Sequence, residues 1–234
     1  MVLCAVGQLC SRGNVVENLI RCQSIISRSA KAGAKIVFLP EASDYIAPAS
    51  QSPSLAQPLK DSQFVQGIQA SAQQNNCWVS VGVHEKSTDD PNRCHNTSLI
   101  ISNDGILQQA YRKLHLFDID LGNSTSANES KYIIPGKTIE EPVPTPIGHA
   151  QVGTHIDKPL RQSWGHAMVI DPWGTVLAQV PDLVPSLPPP SIEDNPQWST
   201  SFALADIDLS SLEHLRKSMP ILNQRRDDIY PRLE

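Results

Sequence analysis

Lys35-Ile36-Val37-Phe38-Leu39-Pro40-Glu41 is the stretch on which the reading of this chain turns. Four apolar residues in a row suit a strand buried on both faces, and Pro40, which has no N–H to donate, is tolerated only where the ladder ends. Glu41 therefore stands at a strand's carboxyl end, the edge at which open α/β sheets gather ligands and catalytic groups. The competing reading is a solvated or N-capping carboxylate, because Ala42 and Ser43 could begin a helix.

Upstream, an apolar strand from Cys4 to Leu9 leads to a helix from Asn14. Asn14 can cap it, with Glu17 completing a capping-box-like pair and Val15, Val16, Leu19, Ile20, Ile25 and Ile26 forming one apolar face. Gly33 is the expected stop. Downstream, a Pro- and Ser-rich loop from Ala47 to Pro58 precedes a second helix over residues 60–74 and a strand from Cys77 to Val83. Two strand-helix units in succession predict α/β architecture.

Thr97–Ile101, the turn Ser102-Asn103-Asp104-Gly105 and Ile106-Leu107 form a predicted hairpin, since Asp-Gly between apolar runs is a strong turn signal. His166–Ile170, Asp171-Pro172-Trp173-Gly174 and Thr175–Leu177 repeat the pattern. A strand from Phe202 to Ile207 and a helix from Ser210 to about Lys217, capped by Ser210 or Ser211, complete a chain of two related halves. The halves differ in content. From Gly148 to its hairpin the second is polar and loop-like, and 12 of the 19 prolines fall between Pro135 and Pro196, where they leave no room for regular core elements.

With 234 residues, 40% hydrophobic and 18% charged, the chain is globular. A net charge of -5 with no basic stripe argues against nucleic acid as a partner. No apolar run approaches bilayer length, and Met1 to Gly7 lacks a basic start or small-residue cleavage site, so a cytoplasmic protein without a membrane partner is expected. The five cysteines, Cys4, Cys10, Cys22, Cys77 and Cys94, are odd in number and include no C-x-x-C, which argues against a disulfide framework or a zinc site. Cys4, Cys22 and Cys77 read as small buried hydrophobes. Cys94-His95 draws attention because an imidazole can lower a thiol pKa, although neighbours on a strand point to opposite faces.

Several longer motifs stand in order along the chain. They are Leu39-Pro40-Glu41, Tyr111-Arg112-Lys113-Leu114-His115-Leu116-Phe117-Asp118, Glu129-Ser130 before Pro135-Gly136, Ser163-Trp164-Gly165-His166-Ala167-Met168-Val169-Ile170-Asp171-Pro172-Trp173-Gly174, and Asn223-Gln224-Arg225-Arg226-Asp227-Asp228. Together they resemble the nitrilase superfamily of carbon-nitrogen hydrolases, in its Nit amidase branch. The resemblance spans nearly the whole chain. It implies an αββα sandwich as a single domain over residues 1–234, a Cys-Glu-Lys amidase for small linear amides of the deaminated-glutathione kind, a homo-oligomer, and neither cofactor nor metal. By motif position Glu41 resembles the general base, Lys113 the catalytic lysine and Glu129 the carboxylate supporting it. Taken singly, Lys113 and Glu129 would read as surface charges.

One expected motif is missing. In the family the nucleophilic cysteine follows the Glu129 region by roughly 25 residues, on a strand reading like I-C-Y-D-x-R-F-P-E, and this chain has no such stretch. Near residues 148–150 the sequence passes from Thr145-Pro146-Ile147-Gly148 to Ala150-Gln151-Val152-Gly153-Thr154-His155, which resembles a segment lying well downstream in the family. About 60 residues are absent on comparison with a two-unit second half, carrying the nucleophile, two strands and two helices. At roughly 0.1 kcal/mol per residue that is about 6 kcal/mol of stability, and the loss would expose strand edges and apolar surface. Three readings follow: an amidase by family with no turnover in this chain, a catalytically dead partner of an intact paralogue, or a spliced or mispredicted form.

Overall fold

The computed structural model describes residues 2–48, 50–120, 126–147, 156–157, 161–162, 165–181 and 200–224. The chain opens with β1 (Val2–Leu9) and α1 (Val15–Lys31), then β2 (Ile36–Phe38), the short α2 (Ser52–Leu55), α3 (Gln63–Gln74) and β3 (Trp78–Lys86). The hairpin β4 (Cys94–Ile101) and β5 (Leu107–Arg112) follows. Short paired strands come next, β6 (Asp118–Asp120) with β7 (Ser126–Asn128) and β8 (Ile156–Asp157) with β9 (Arg161–Gln162). The hairpin β10 (Met168–Ile170) and β11 (Val176–Gln179) precedes β12 (Thr200–Ile207) and α4 (Leu209–Ser218).

Six strands make the main sheet, in the order β12-β1-β2-β3-β4-β5. β2 lies parallel between β1 and β3 (Cys4↔Ile36, Ile36↔Trp78), while β3, β4 and β5 run antiparallel. The central strand is fully buried, as its apolar run predicts. Its residues serve two cores. Val37 and Leu39 join Ala5, Leu9, Val81 and Leu99 beneath α1 and α3, whereas Ile36 and Phe38 join Cys4, Val6 and Ala205 under Ile147, Ala167, Val169 and Val180 of the second half. Buried Gln8 of β1 ties the layers together, accepting from Ala167 N and donating to Pro181 O at 3.1 Å.

The Asn14 cap of α1 forms as predicted, its side chain accepting from Val16 N and Glu17 N and donating to Glu17 at 3.2 Å. Gly33 ends that helix at φ +100°, a backbone that favours glycine. Several boundaries move. The loop over 47–58 contains α2. The second helix starts at Gln63 rather than 60, where the Ser62 hydroxyl accepts from Val65 N. β4 begins at Cys94 because the 132–134 segment pairs with it through Cys94 N to Tyr132 O. α4 is capped by Asp208, whose carboxylate accepts from Ser210 N and Ser211 N, and not by either serine.

Of the expected sandwich, the first αβ half is complete. Among the described residues the second half contributes the β10–β11 hairpin as a second layer, and β12, which pairs with β1 of the first sheet. The hairpin's outer side is open to solvent, with Ile170 52% and Trp173 68% exposed. The junction at 148–155, Ser163-Trp164 and Arg225–Asp228 lie outside the described residues.

Candidate active site

Glu41 is placed by β2 running on beside β3. Leu39 N donates to Ser80 O at 2.8 Å, Gly82 N to Pro40 O at 3.1 Å and Ser43 N to Gly82 O at 2.8 Å. No helix begins at Ala42; the chain turns sharply there with Ala42 at φ +52°, a left-handed backbone uncommon for a residue with a Cβ. Asp44 closes the turn. Its carboxylate accepts from His84 N at 2.8 Å and Tyr45 N at 2.9 Å and meets His84 Nδ1 at 2.9 Å, while the Tyr45 and His84 rings stack 4.2 Å apart.

Lys113 leaves β5 with both backbone groups engaged, its N–H donating to Asn96 O at 2.8 Å and its carbonyl accepting from Gly136 N at 2.9 Å. Its Nζ lies 3.2 Å from Glu41 Oε1 and 3.0 Å from Glu129 Oε2. Glu129 opens a short 3₁₀ turn (Glu129–Lys131) and accepts from Phe117 N at 2.6 Å. The structure thus brings together all three residues singled out by motif, from positions 41, 113 and 129.

Asn96 escaped the sequence reading. Its Nδ2 donates to Glu41 Oε1 and, at 3.2 Å, to Glu129 Oε1. The available signal was an asparagine inside a segment of strand character, where that residue is depleted, but the predicted hairpin began one residue later. Asp44 and His84 escaped likewise.

Burial works against the charge on Lys113, yet the bond to Glu129 and the charge of Glu41 outweigh it and hold the amine above its ordinary value near 10.5. A native pKa raised above the unfolded one contributes stability that is fully present below about 10.5 and is lost as pH rises through the higher native value. We expect the urea-midpoint difference between the native chain and Lys113→Met to be constant at neutral pH and to shrink above about pH 10.5. A difference unchanged in strong alkali would show that Lys113 gains nothing from its two carboxylates.

Electrostatically the trio sets one amine cation between two carboxylates, with Nζ 3.2 Å from Glu41 and 3.0 Å from Glu129, groups of the kind that acid-base and electrostatic catalysis use. All five cysteines are free and buried. Cys22 and Cys77 lie in the helix-side core and Cys4 in the opposite one. Cys94 is packed with Ala56 and Ile133, and burial pushes its thiol up to about 11, the reverse of activation. His95 does not oppose this, since it turns to the other face and meets Ile134 O at 3.0 Å. Among the described residues no group of three His, Cys, Asp or Glu side chains is arranged to hold a metal ion, and no helix is long and apolar enough to cross a membrane.

Residues 3–156 match the family described as carbon-nitrogen hydrolase. The chain is 31% identical to a probable hydrolase, nit2, of Schizosaccharomyces pombe, over 292 aligned positions covering 99% of each protein. Those positions exceed the 234 residues of this chain by 58, so at least that many face no residue here. A deaminated glutathione amidase of Bos taurus is 28% identical, with 99% of this chain and 84% of that protein covered. Among solved structures, the Caenorhabditis elegans NitFhit protein superposes with a TM-score of 0.82 at 26% identity, covering 98% of this chain and 66% of that one. Saccharomyces cerevisiae Nit3, described as a member of the nitrilase superfamily, superposes at 0.71 over 96% of this chain at 19% identity, a likeness of fold. A family match over well more than half the residues, a relative above 30% identity matched along its length, and this α/β fold lead to one conclusion: the chain belongs to the carbon-nitrogen hydrolase family.

Proposed function

We propose that residues 1–234 form one amidase-type domain for small linear amides of the deaminated-glutathione kind, and that the chain does not turn them over because the nucleophile is absent. Glu41 is the general base, Lys113 the oxyanion-stabilising cation and Glu129 the carboxylate that keeps Lys113 charged and oriented. In the complete reaction a thiol would attack the amide carbonyl as Glu41 takes its proton. Lys113 would meet the developing oxyanion, and the proton would pass to departing ammonia. Water, activated by the same carboxylate, would then cleave the thioester to acid and thiol. A thiol near its ordinary pKa of about 8.5 is only a few per cent thiolate at neutral pH, so the base is needed at the first step.

The observation that carries this reading is that Lys113 lies within hydrogen-bond distance of two carboxylates while every cysteine of the chain is buried elsewhere. The 58 or more unmatched positions in the alignment with the fission-yeast relative support it. The test is ammonia release from deaminated glutathione by this chain, beside an extended version in which the missing family segment of about 60 residues is restored at residues 148–150. Release only by the extended version is expected; release by both would mean that another group attacks the amide.

A second reading is favoured by the exposed apolar side chains of the β10–β11 hairpin and its turn, Ile170, Trp173, Val176 and Leu177. It makes the chain a catalytically dead partner of an intact paralogue in the cytoplasm, in the manner of a homo-oligomer with one member altered. Co-elution with such a paralogue, lost on Trp173→Glu, is the expected result.

A further inference from the structure

The side chains around Lys113 close into a ring. Asn96 Nδ2 donates to Oε1 of both Glu41 and Glu129, and Lys113 Nζ reaches the same two oxygens, each at 3.2 Å. Two nitrogen donors thus alternate with two carboxylate oxygens. We propose that Asn96 is the positioning residue of this site, its single amide group holding Glu41 and Glu129 together on Lys113.

The physical need is plain. Two carboxylates drawn to one amine repel each other, and a lysine-carboxylate pair with Lys113 29% and Glu41 34% exposed is a weak tether by itself. N–H bonds to charged oxygens are the stronger kind, and a planar NH₂ group offers two at a fixed spread. Asparagine is the shortest side chain that does so. Serine would supply one donor, and aspartate would add a third negative charge. Asn96 is itself well anchored: it lies opposite His84 in the β3–β4 ladder, and its carbonyl accepts from Lys113 N at 2.8 Å. The residue that orders the carboxylates is therefore fixed to the backbone of the lysine they serve.

This inference rests on the reading of Lys113 as the cation of an amidase site, but its test needs no turnover. The experiment is the alkaline titration of Lys113 in the chain as it exists, followed by NMR through the ¹³C-labelled ε-methylene and assigned with Lys113→Met. Lys113 is faced by Glu41 from the end of β2 and by Glu129 from the 3₁₀ turn, and these outweigh burial in the native protein. In Asn96→Leu, near in size but without donors, the carboxylates part, burial dominates and the titration moves to lower pH. Asn96→Ser, with one donor, gives a smaller fall. A Lys113 titration unchanged in Asn96→Leu overturns the proposal, because a residue that only fills space would leave it so. Should Asn96→Leu fail to fold, an unchanged titration in Asn96→Ser decides against it equally. If the extended version releases no ammonia from deaminated glutathione, the amidase reading fails while this titration result stands on its own.

Discussion

Gly82→Ala is expected to lower the stability of this protein by about 3–5 kcal/mol, measured as the shift in urea midpoint by circular dichroism. A Cβ on Gly82 would lie 2.5 Å from Glu41 Cα and 3.1 Å from both Ala42 N and Pro40 O. All three are backbone atoms, so no side chain can swing aside. Nor can the two strands simply part, since Gly82 N donates to Pro40 O and Gly82 O accepts from Ser43 N. Relief means breaking those bonds, at about 1 kcal/mol each, on top of an overpacking cost of about 1–3 kcal/mol. Against a net stability of about 5–15 kcal/mol the change is severe. Gly13→Ala is the control, because its nearest atom, Ile46 O, is 3.7 Å from the added carbon. If the two variants differ by less than about 1 kcal/mol, the turn after β2 does not approach β3 this closely at Glu41.

That close approach bears on what a sequence can disclose. Ile36 to Glu41 was legible because a buried parallel strand leaves a local mark, an unbroken apolar run stopped by proline. The α1 cap and the Asp104-Gly105 turn were legible for the same reason, each being decided within four residues. The pairing of β12 with β1 was not, because a strand's composition does not name its neighbour. Asp208 and Ser210 are equally good caps by type, and only the chain's entry into α4 chose the aspartate. At the site, Glu41, Lys113 and Glu129 were found through motifs. Asn96 and Asp44 stand outside those motifs, and their partners Glu41 and His84 lie 55 and 40 residues away in the chain. Long-range hydrogen bonds of this kind emerge only once the sheet is assembled.

Gly82 sets how near the turn after β2 can approach β3, and Asp44 keeps it there. Asn96 then acts on a carboxylate whose backbone is already fixed. The sharp bend at Ala42 persists because the surrounding bonds over-determine it: Ser43 Oγ to Pro40 O at 2.7 Å, Ser43 N to Gly82 O, and the Asp44 contacts to β3. Release of any one of these lets strain at Ala42 relax at the expense of Glu41.

Asp44→Ala should therefore cost about 3 kcal/mol, the second large effect expected for this chain. The carboxylate is 7% exposed and serves the backbone N–H groups of His84 and Tyr45 as well as the His84 ring. Its removal leaves one buried and one part-buried donor without that acceptor, each worth about 1–3 kcal/mol when unmet, and water can reach only part of the gap because His84 is 13% exposed. The Tyr45–His84 stack does not offset this loss, since the ring it orders is the one set free. Asp89→Ala is the comparison, its carboxylate being 66% exposed and 3.9 Å from Lys137, so that its change should stay within about 0.5 kcal/mol. The same Asp44 variant should also loosen Glu41, seen as a smaller alkaline shift of Lys113 than in the native chain. Equal urea midpoints for Asp44→Ala and Asp89→Ala would remove Asp44 from this account and leave the turn held by Ser43 and Gly82 alone.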